Sequence, residues 1–168
     1  MTVSYEIILD FYGDRRANRS GLPLMNHIDE GLEILYLRNA SQTTKDAFCL
    51  HPFLQHDLDL TSNWRDDRLK FVDPEVIILA MEYRSVANDY LGKGVSKSGK
   101  DIRLSPINEV NEMLVADKIQ NRKDYERYVR LGLLSEEKDR LDRYFRQWFD
   151  VLNIRDAYYE SVVEALGD

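Results

Sequence analysis

Two histidines, an aspartate and an asparagine stand in this chain where helical spacing calls for apolar residues. Val110, Met113 and Leu114 form an apolar stripe, and the next place on that stripe is Asp117. A carboxylate on an inward face must be paired, hydrogen-bonded or bound to a metal, because burying it alone is prohibitive. Asn121 lies one turn further on the same face. His27 shares a stripe with Ile28, Gly31, Leu32 and Leu35, and His51 shares one with Ala47, Phe48 and Leu54. Taken singly, each has a structural explanation: a carboxylate bracing a neighbouring helix, or an imidazole bonded to a backbone carbonyl. The chain has only 3 histidines, however, and two of them fall on inward faces. Two imidazoles and a carboxylate can hold a divalent transition metal (Mn, Zn or Fe) and leave positions open for water and substrate. Such a metal acidifies its water and neutralises phosphate charge, so hydrolysis at phosphorus is the chemistry this set suits.

Positioning these side chains requires several helices. Residues 5–12 read as a first one. Residues 13–21 follow with Arg15, Arg16 and Arg19, and Pro23 can open the helix of His27. Thr43 or Thr44 can cap the helix of His51. Residues 57–71 mix charges without a clear period and read as a loop with room for a short helix. Asp73-Pro74, a cap followed by proline, opens a helix over residues 76–91. Residues 92–100 read as a basic loop; with no strand before it, its glycines do not make a P-loop. Ser105-Pro106 repeats the cap-then-proline signal and opens the helix of Asp117, which Gly132 ends. Ser135 caps a helix through Trp148, and residues 154–166 form the last. Nothing reads as a strand. The expected fold is an all-α bundle of about six or seven helices, with residues 1–168 forming one domain.

The totals agree with this. A chain of 168 residues, 43% hydrophobic and 32% charged, can bury a sizeable core, and its 10 Tyr, 6 Phe and 2 Trp argue against disorder. A net charge of -7 gives no support for nucleic-acid binding, though a local basic cluster can still hold a small anion. The lone Cys49, between Phe48 and Leu50, cannot form an intramolecular disulfide and reads as a buried thiol. The first residues lack the basic-then-apolar pattern of a signal peptide, and the longest apolar runs, such as residues 76–81, are too short to span a bilayer. No membrane association is expected, and the expected compartment is cytoplasmic. Trp148, Phe149, Tyr158 and Tyr159 read as core or as the contact of a homo-oligomer.

Four segments carry a resemblance to a known family. Arg19-Ser-Gly-Leu-Pro-Leu-Met-Asn-His27 resembles the arginine/lysine-glycine-x-proline-x-x-x-histidine segment of the HD-domain hydrolases of RelA/SpoT type, the small alarmone hydrolases. Ala47-Phe-Cys-Leu-His51 resembles their apolar helix ending in a histidine-aspartate doublet. Val115-Ala-Asp117-Lys-Ile-Gln-Asn121 is similar to their alanine-aspartate-lysine-x-x-asparagine motif, and Arg140-Leu-Asp-Arg-Tyr144 to their late arginine-x-x-x-tyrosine segment. The segments come in the family's order and span roughly residues 15–150. The resemblance implies an HD-domain-like bundle with His27, His51 and Asp117 as metal ligands. It places Asn121, Arg140 and Tyr144 in a nucleotide pocket. It gives phosphate contacts to Arg16 and Arg19 from the first loop, and to Lys97, Lys100 and Arg103 from the segment before the aspartate helix.

The chain departs from the family at the doublet. Pro52 replaces its aspartate, removing the fourth ligand, and the places of the acidic pair that handles the attacking water hold Gln55 and His56. Neutral glutamine can orient a water but cannot take its proton at pH 7. Asp57 or Asp59 could substitute as ligand or base. A rival alignment takes the literal His56-Asp57 as the doublet. Two functions follow as expectations. One is a metal-dependent phosphohydrolase acting on a small nucleotide, alarmone-like or other, with Gln55 and Asp57 handling the water. The other is a catalytically impaired protein of the same fold that binds or sequesters a nucleotide.

Overall fold

Residues 47–54 are buried without a break, so the helix that carries them is covered on every side. That helix, α3 (Gln42–Gln55), is the axis of the structure. The computed structural model describes residues 1–92 and 102–167. Within them α1 (Val3–Tyr12), α2 (Met25–Leu37), α4 (Asp57–Asn63), α5 (Pro74–Gly92) and α6 (Asn108–Asp124) all pack against α3. Helix α7 (Ser135–Leu152) lies against α6, and α8 (Asp156–Leu166) bridges α2 and α6. The described residues form no strand; one isolated bridge pairs Arg16 with Pro23 and closes the loop between α1 and α2. The all-α class is as the sequence implies. The stretch read as a loop, 57–71, contains α4 and a 3-10 turn over Asp67–Phe71.

Side-chain caps set the starts of three helices. Thr2 caps α1, its hydroxyl accepting from the Tyr5 N–H. The cap of α3 is Ser41 rather than Thr43 or Thr44, with Ser41 Oγ accepting from the Thr44 N–H at 3.1 Å. Asp73 caps α5 as expected, accepting from the Glu75 N–H at 2.8 Å. The Ser105-Pro106 signal falls short of the helix it announces: Ser105 Oγ accepts from the Ile107 N–H, and α6 begins at Asn108. At its other end α6 runs into a π turn over Tyr125–Val129 and a 3-10 turn over Arg130–Gly132, so the helical path does stop at Gly132.

Two packing features fix the helices that matter for the site. Gly31 on α2 lets Phe48 of α3 approach so closely that a Cβ there would lie 2.1 Å from Phe48 Cε1. Arg38 at the end of α2 pairs with Glu112 of α6, its Nη2 donating to Glu112 Oε1 at 2.9 Å and its Nη1 to the Tyr158 hydroxyl of α8 at 3.1 Å. Trp148, Phe149 and Tyr159 are core, and Tyr158 is half-buried against it. Among the described residues no helix is long and apolar enough to cross a membrane.

Candidate metal centre

Helices α2, α3 and α6 each deliver one donor to a common point. His27 Nε2 lies 3.6 Å from Asp117 Oδ1, and one donor atom from each of His27, His51 and Asp117 lies within 4.8 Å of the others. The two imidazoles stand edge to face with centroids 5.5 Å apart, and the Phe48 ring touches both. The Gly31 contact is therefore what brings the α2 histidine to the α3 histidine.

The neighbours decide which atoms face that point. His51 Nδ1 is 2.6 Å from the Phe48 carbonyl, which can only accept, so Nδ1 carries the proton and Nε2 keeps its lone pair. His27 Nδ1 is 2.7 Å from Gln120 Oε1. The Gln120 amide cannot turn round, because its Nε2 donates to Glu30 Oε2 at 3.1 Å and to Asp124 Oδ2 at 2.7 Å. Lys123, buried beside them, bonds Glu30 at 2.7 Å and Asp124 at 2.8 Å and holds both acids in place. His27 must then donate from Nδ1 and present Nε2. Hydrogen bonds at the far nitrogen orient metal-binding imidazoles in just this way.

The electrostatics suit the same role. Burial, reinforced by the neighbouring His27, pushes His51 down to about 3, so it is neutral at pH 7 as a metal donor must be. Burial would push the Asp117 carboxyl up, but the Lys118 ammonium and the two imidazoles outweigh it and hold the group down at about 2. Asp117 Oδ2 accepts from Lys118 Nζ at 2.5 Å, and Oδ1 from Asn121 Nδ2 at 2.8 Å. Lys118 is itself buried, 4.7 Å from the centre of the Trp148 ring, and the adjacent carboxylate overrides the burial to keep it charged. Tyr83 packs on His51 with centroids 4.5 Å apart; burial, then the Asp117 charge, holds its phenol protonated. Two inward-turned imidazole Nε2 atoms and an anionic oxygen with lone pairs to spare are a donor set that fits a divalent transition metal.

These residues sit in the wall of a cavity of about 1160 Å³, ample for a nucleotide-sized ligand. Of the residues expected at the site, Arg19, Gln55, Asn121, Arg140 and Tyr144 line it together with the three metal-type donors. Asp57 does not. The chain turns at His56, α4 starts there, and Asp57 is carried outward to pair with Arg84, its side chain 89% exposed. His56 lines the cavity but stands outside the donor group, so the geometry assembles His51 and not the literal His56-Asp57 doublet. Arg16 donates to the Gly21 carbonyl at 2.8 Å and, like Arg103, is not on the wall. Lys97 and Lys100 lie outside the described residues.

The wall also holds residues that sequence reasoning left out. Arg143 stands one turn beyond Arg140 on α7, a spacing that could have marked it. Arg15 lies over the Phe11 ring at 4.5 Å and bonds the Phe11 and Tyr12 carbonyls. Gln120, the residue that orients His27, carries no sequence signal of its own. Compared with known proteins, the chain matches no family model, no curated protein and no solved structure.

Proposed function

We propose that this chain is an HD-domain-like, metal-dependent phosphohydrolase acting on a small nucleotide, of which a guanosine alarmone is one type. The observation that carries the proposal is the convergence of two imidazoles, each held by a hydrogen bond at Nδ1 and turning Nε2 inward, on one carboxylate in the wall of an arginine-lined cavity. The resemblance of the four sequence segments to the RelA/SpoT-type hydrolases supports the same reading. A divalent metal held by His27, His51 and Asp117 would polarise a phosphoryl oxygen and acidify a water.

The chain's own residues supply the rest. Arg19, Arg140 and Arg143 make no ion pair among the described residues, so their guanidinium groups are free to meet phosphate oxygens and developing negative charge. Gln55 can orient a water by hydrogen bonding. Among the wall carboxylates, Asp117 is bonded to Lys118 and Asn121, and Asp124 to Lys123 and Gln120. Asp59 alone has no partner among the described residues, and it is the group we assign to accept the water's proton.

Elemental analysis of the protein purified without chelator is expected to find one Mn, Zn or Fe per chain. Added metal should then support release of phosphate or pyrophosphate from a nucleotide panel, and Asp117→Ala should abolish both metal and release. A metal-loaded protein that turns over none of the panel would overturn the enzymatic reading.

A second reading, a nucleotide-binding protein without turnover, is favoured by Pro52, which leaves the donor set at three, and by the outward position of Asp57. In that case the purified protein would be metal-free. A saturating nucleotide would still stabilise it, by about 3 kcal/mol at a hundredfold excess over Kd.

A further inference from the structure

Pro52 sits inside α3 and is buried, one residue after His51. In an α-helix the carbonyl of residue 48 receives the N–H of residue 52. Proline has no N–H, its ring crowds that same carbonyl, and the residue before it is pushed away from helical geometry. A buried carbonyl stripped of its donor needs another. Here the donor is the imidazole of His51, whose Nδ1 lies 2.6 Å from the Phe48 oxygen. The orphan carbonyls of the helix's last turn also take side-chain donors: Asn63 Nδ2 donates to the Phe53 carbonyl at 2.8 Å, and Asn88 Nδ2 to the Gln55 carbonyl at 3.0 Å.

We infer that Pro52 is a positioning residue. By withholding a backbone N–H, it gives the Phe48 carbonyl to His51 and so fixes the imidazole in the tautomer and orientation that present Nε2 to His27 and Asp117. The consequence for metal binding rests on the metal centre proposed above; the consequence for the tautomer does not. His27 reaches the same state by another route, through the Gln120 amide. Both imidazoles are therefore set before any metal arrives, which lowers the ordering cost of binding.

The test uses the full chain, stripped of metal, at neutral pH. Nitrogen-15 NMR of the wild-type protein should show His51 held as the Nδ1–H tautomer. In Pro52→Ala the returned N–H competes for the Phe48 oxygen. The His51 signals should move toward a tautomer mixture, while those of His27 stay put and the Tm is unchanged or higher, since a helix-interior proline has been removed. Zinc titrated into the two proteins should bind the variant about 10- to 100-fold more weakly, the range for losing a group that orients a metal ligand. A wild-type His51 protonated at Nε2, or a Pro52→Ala protein with an unchanged tautomer, overturns the inference. A locked tautomer in a protein that takes up no zinc leaves the inference standing and counts against the metal centre instead.

Discussion

At the scale of single residues, the site is governed by a buried cation that already does part of what a metal would do. Lys118 neutralises Asp117 at 2.5 Å, and with both side chains under a tenth exposed the pair is shielded from water. Removing one member of a buried pair leaves an uncompensated charge and costs about 3–5 kcal/mol. Lys118→Met keeps the length and packing against Trp148 but leaves Asp117 with only the neutral donors Asn121 and Tyr83. The variant is expected to lose roughly 3–5 kcal/mol in urea unfolding with chelator present, and to regain much of it with excess zinc, as an ion binding only the folded state must stabilise it. The sign with pH also follows. The Asp117 carboxyl is held down at about 2, below its ordinary value, so the stability it contributes is present at neutral pH and is lost as acid takes the pH down toward 2. In Lys118→Met the carboxyl should protonate at higher pH, and the metal-free variant should therefore depend less on pH in that acid range. A variant as stable as the parent in chelator would show that Lys118 is not what compensates Asp117.

At the scale of elements, the site depends on how closely α2 approaches α3. Gly31 is one turn from His27, and Phe48 is three residues from His51, so the Gly31–Phe48 contact is the point where the two histidine helices meet. A methyl group at position 31 would have to displace the Phe48 ring, which touches both imidazoles. Gly31→Ala gains a little helix propensity, but overpacking of this kind costs about 1–3 kcal/mol. The expected result is a lower Tm together with weaker zinc binding, read by calorimetry; a stable variant with undiminished zinc affinity would show that the close approach does not set the site. The glycine on the inward stripe was visible in the sequence, as were His27, His51 and Asp117, because a polar or absent side chain interrupts an apolar period. Other parts could not be read that way. Residues 113–120 of α6 are buried on all faces, so Gln120 breaks no pattern even though it orients His27. Asp57 reads in the sequence as a substitute ligand or base, but the turn at His56 and the start of α4 direct it to Arg84. Pro52 read as a missing ligand; that it frees the Phe48 carbonyl appears only when the helix is seen to continue past it.

At the scale of the whole molecule, charge is divided between surface and cavity. The chain carries a net charge of -7, yet the cavity wall holds Arg15, Arg19, Lys118, Arg140 and Arg143 against Asp59, Asp117 and Asp124. A small anion approaching this net-negative protein finds a local excess of cationic side chains on the cavity wall, which favours binding there. Arg140 and Arg143 project from α7, are exposed, and make no ion pair among the described residues, so their charge contributes to the cavity's field without supporting the fold. The double substitution Arg140→Gln and Arg143→Gln should therefore leave the Tm of the unliganded protein within about 2–4 °C of the parent, as two exposed substitutions together change stability by about 1 kcal/mol or less. The Tm increase produced by a nucleoside polyphosphate should fall sharply, because each lost charge-assisted bond to phosphate removes about 1.5–3 kcal/mol. In the parent that increase should shrink as salt is raised from 50 to 300 mM, and in the double variant it should respond much less, since exposed charges are screened over about 10 Å at 0.1 M. An increase that is the same in both proteins and insensitive to salt would place the anion elsewhere and separate the arginines of α7 from the His27, His51 and Asp117 cluster that shares their cavity.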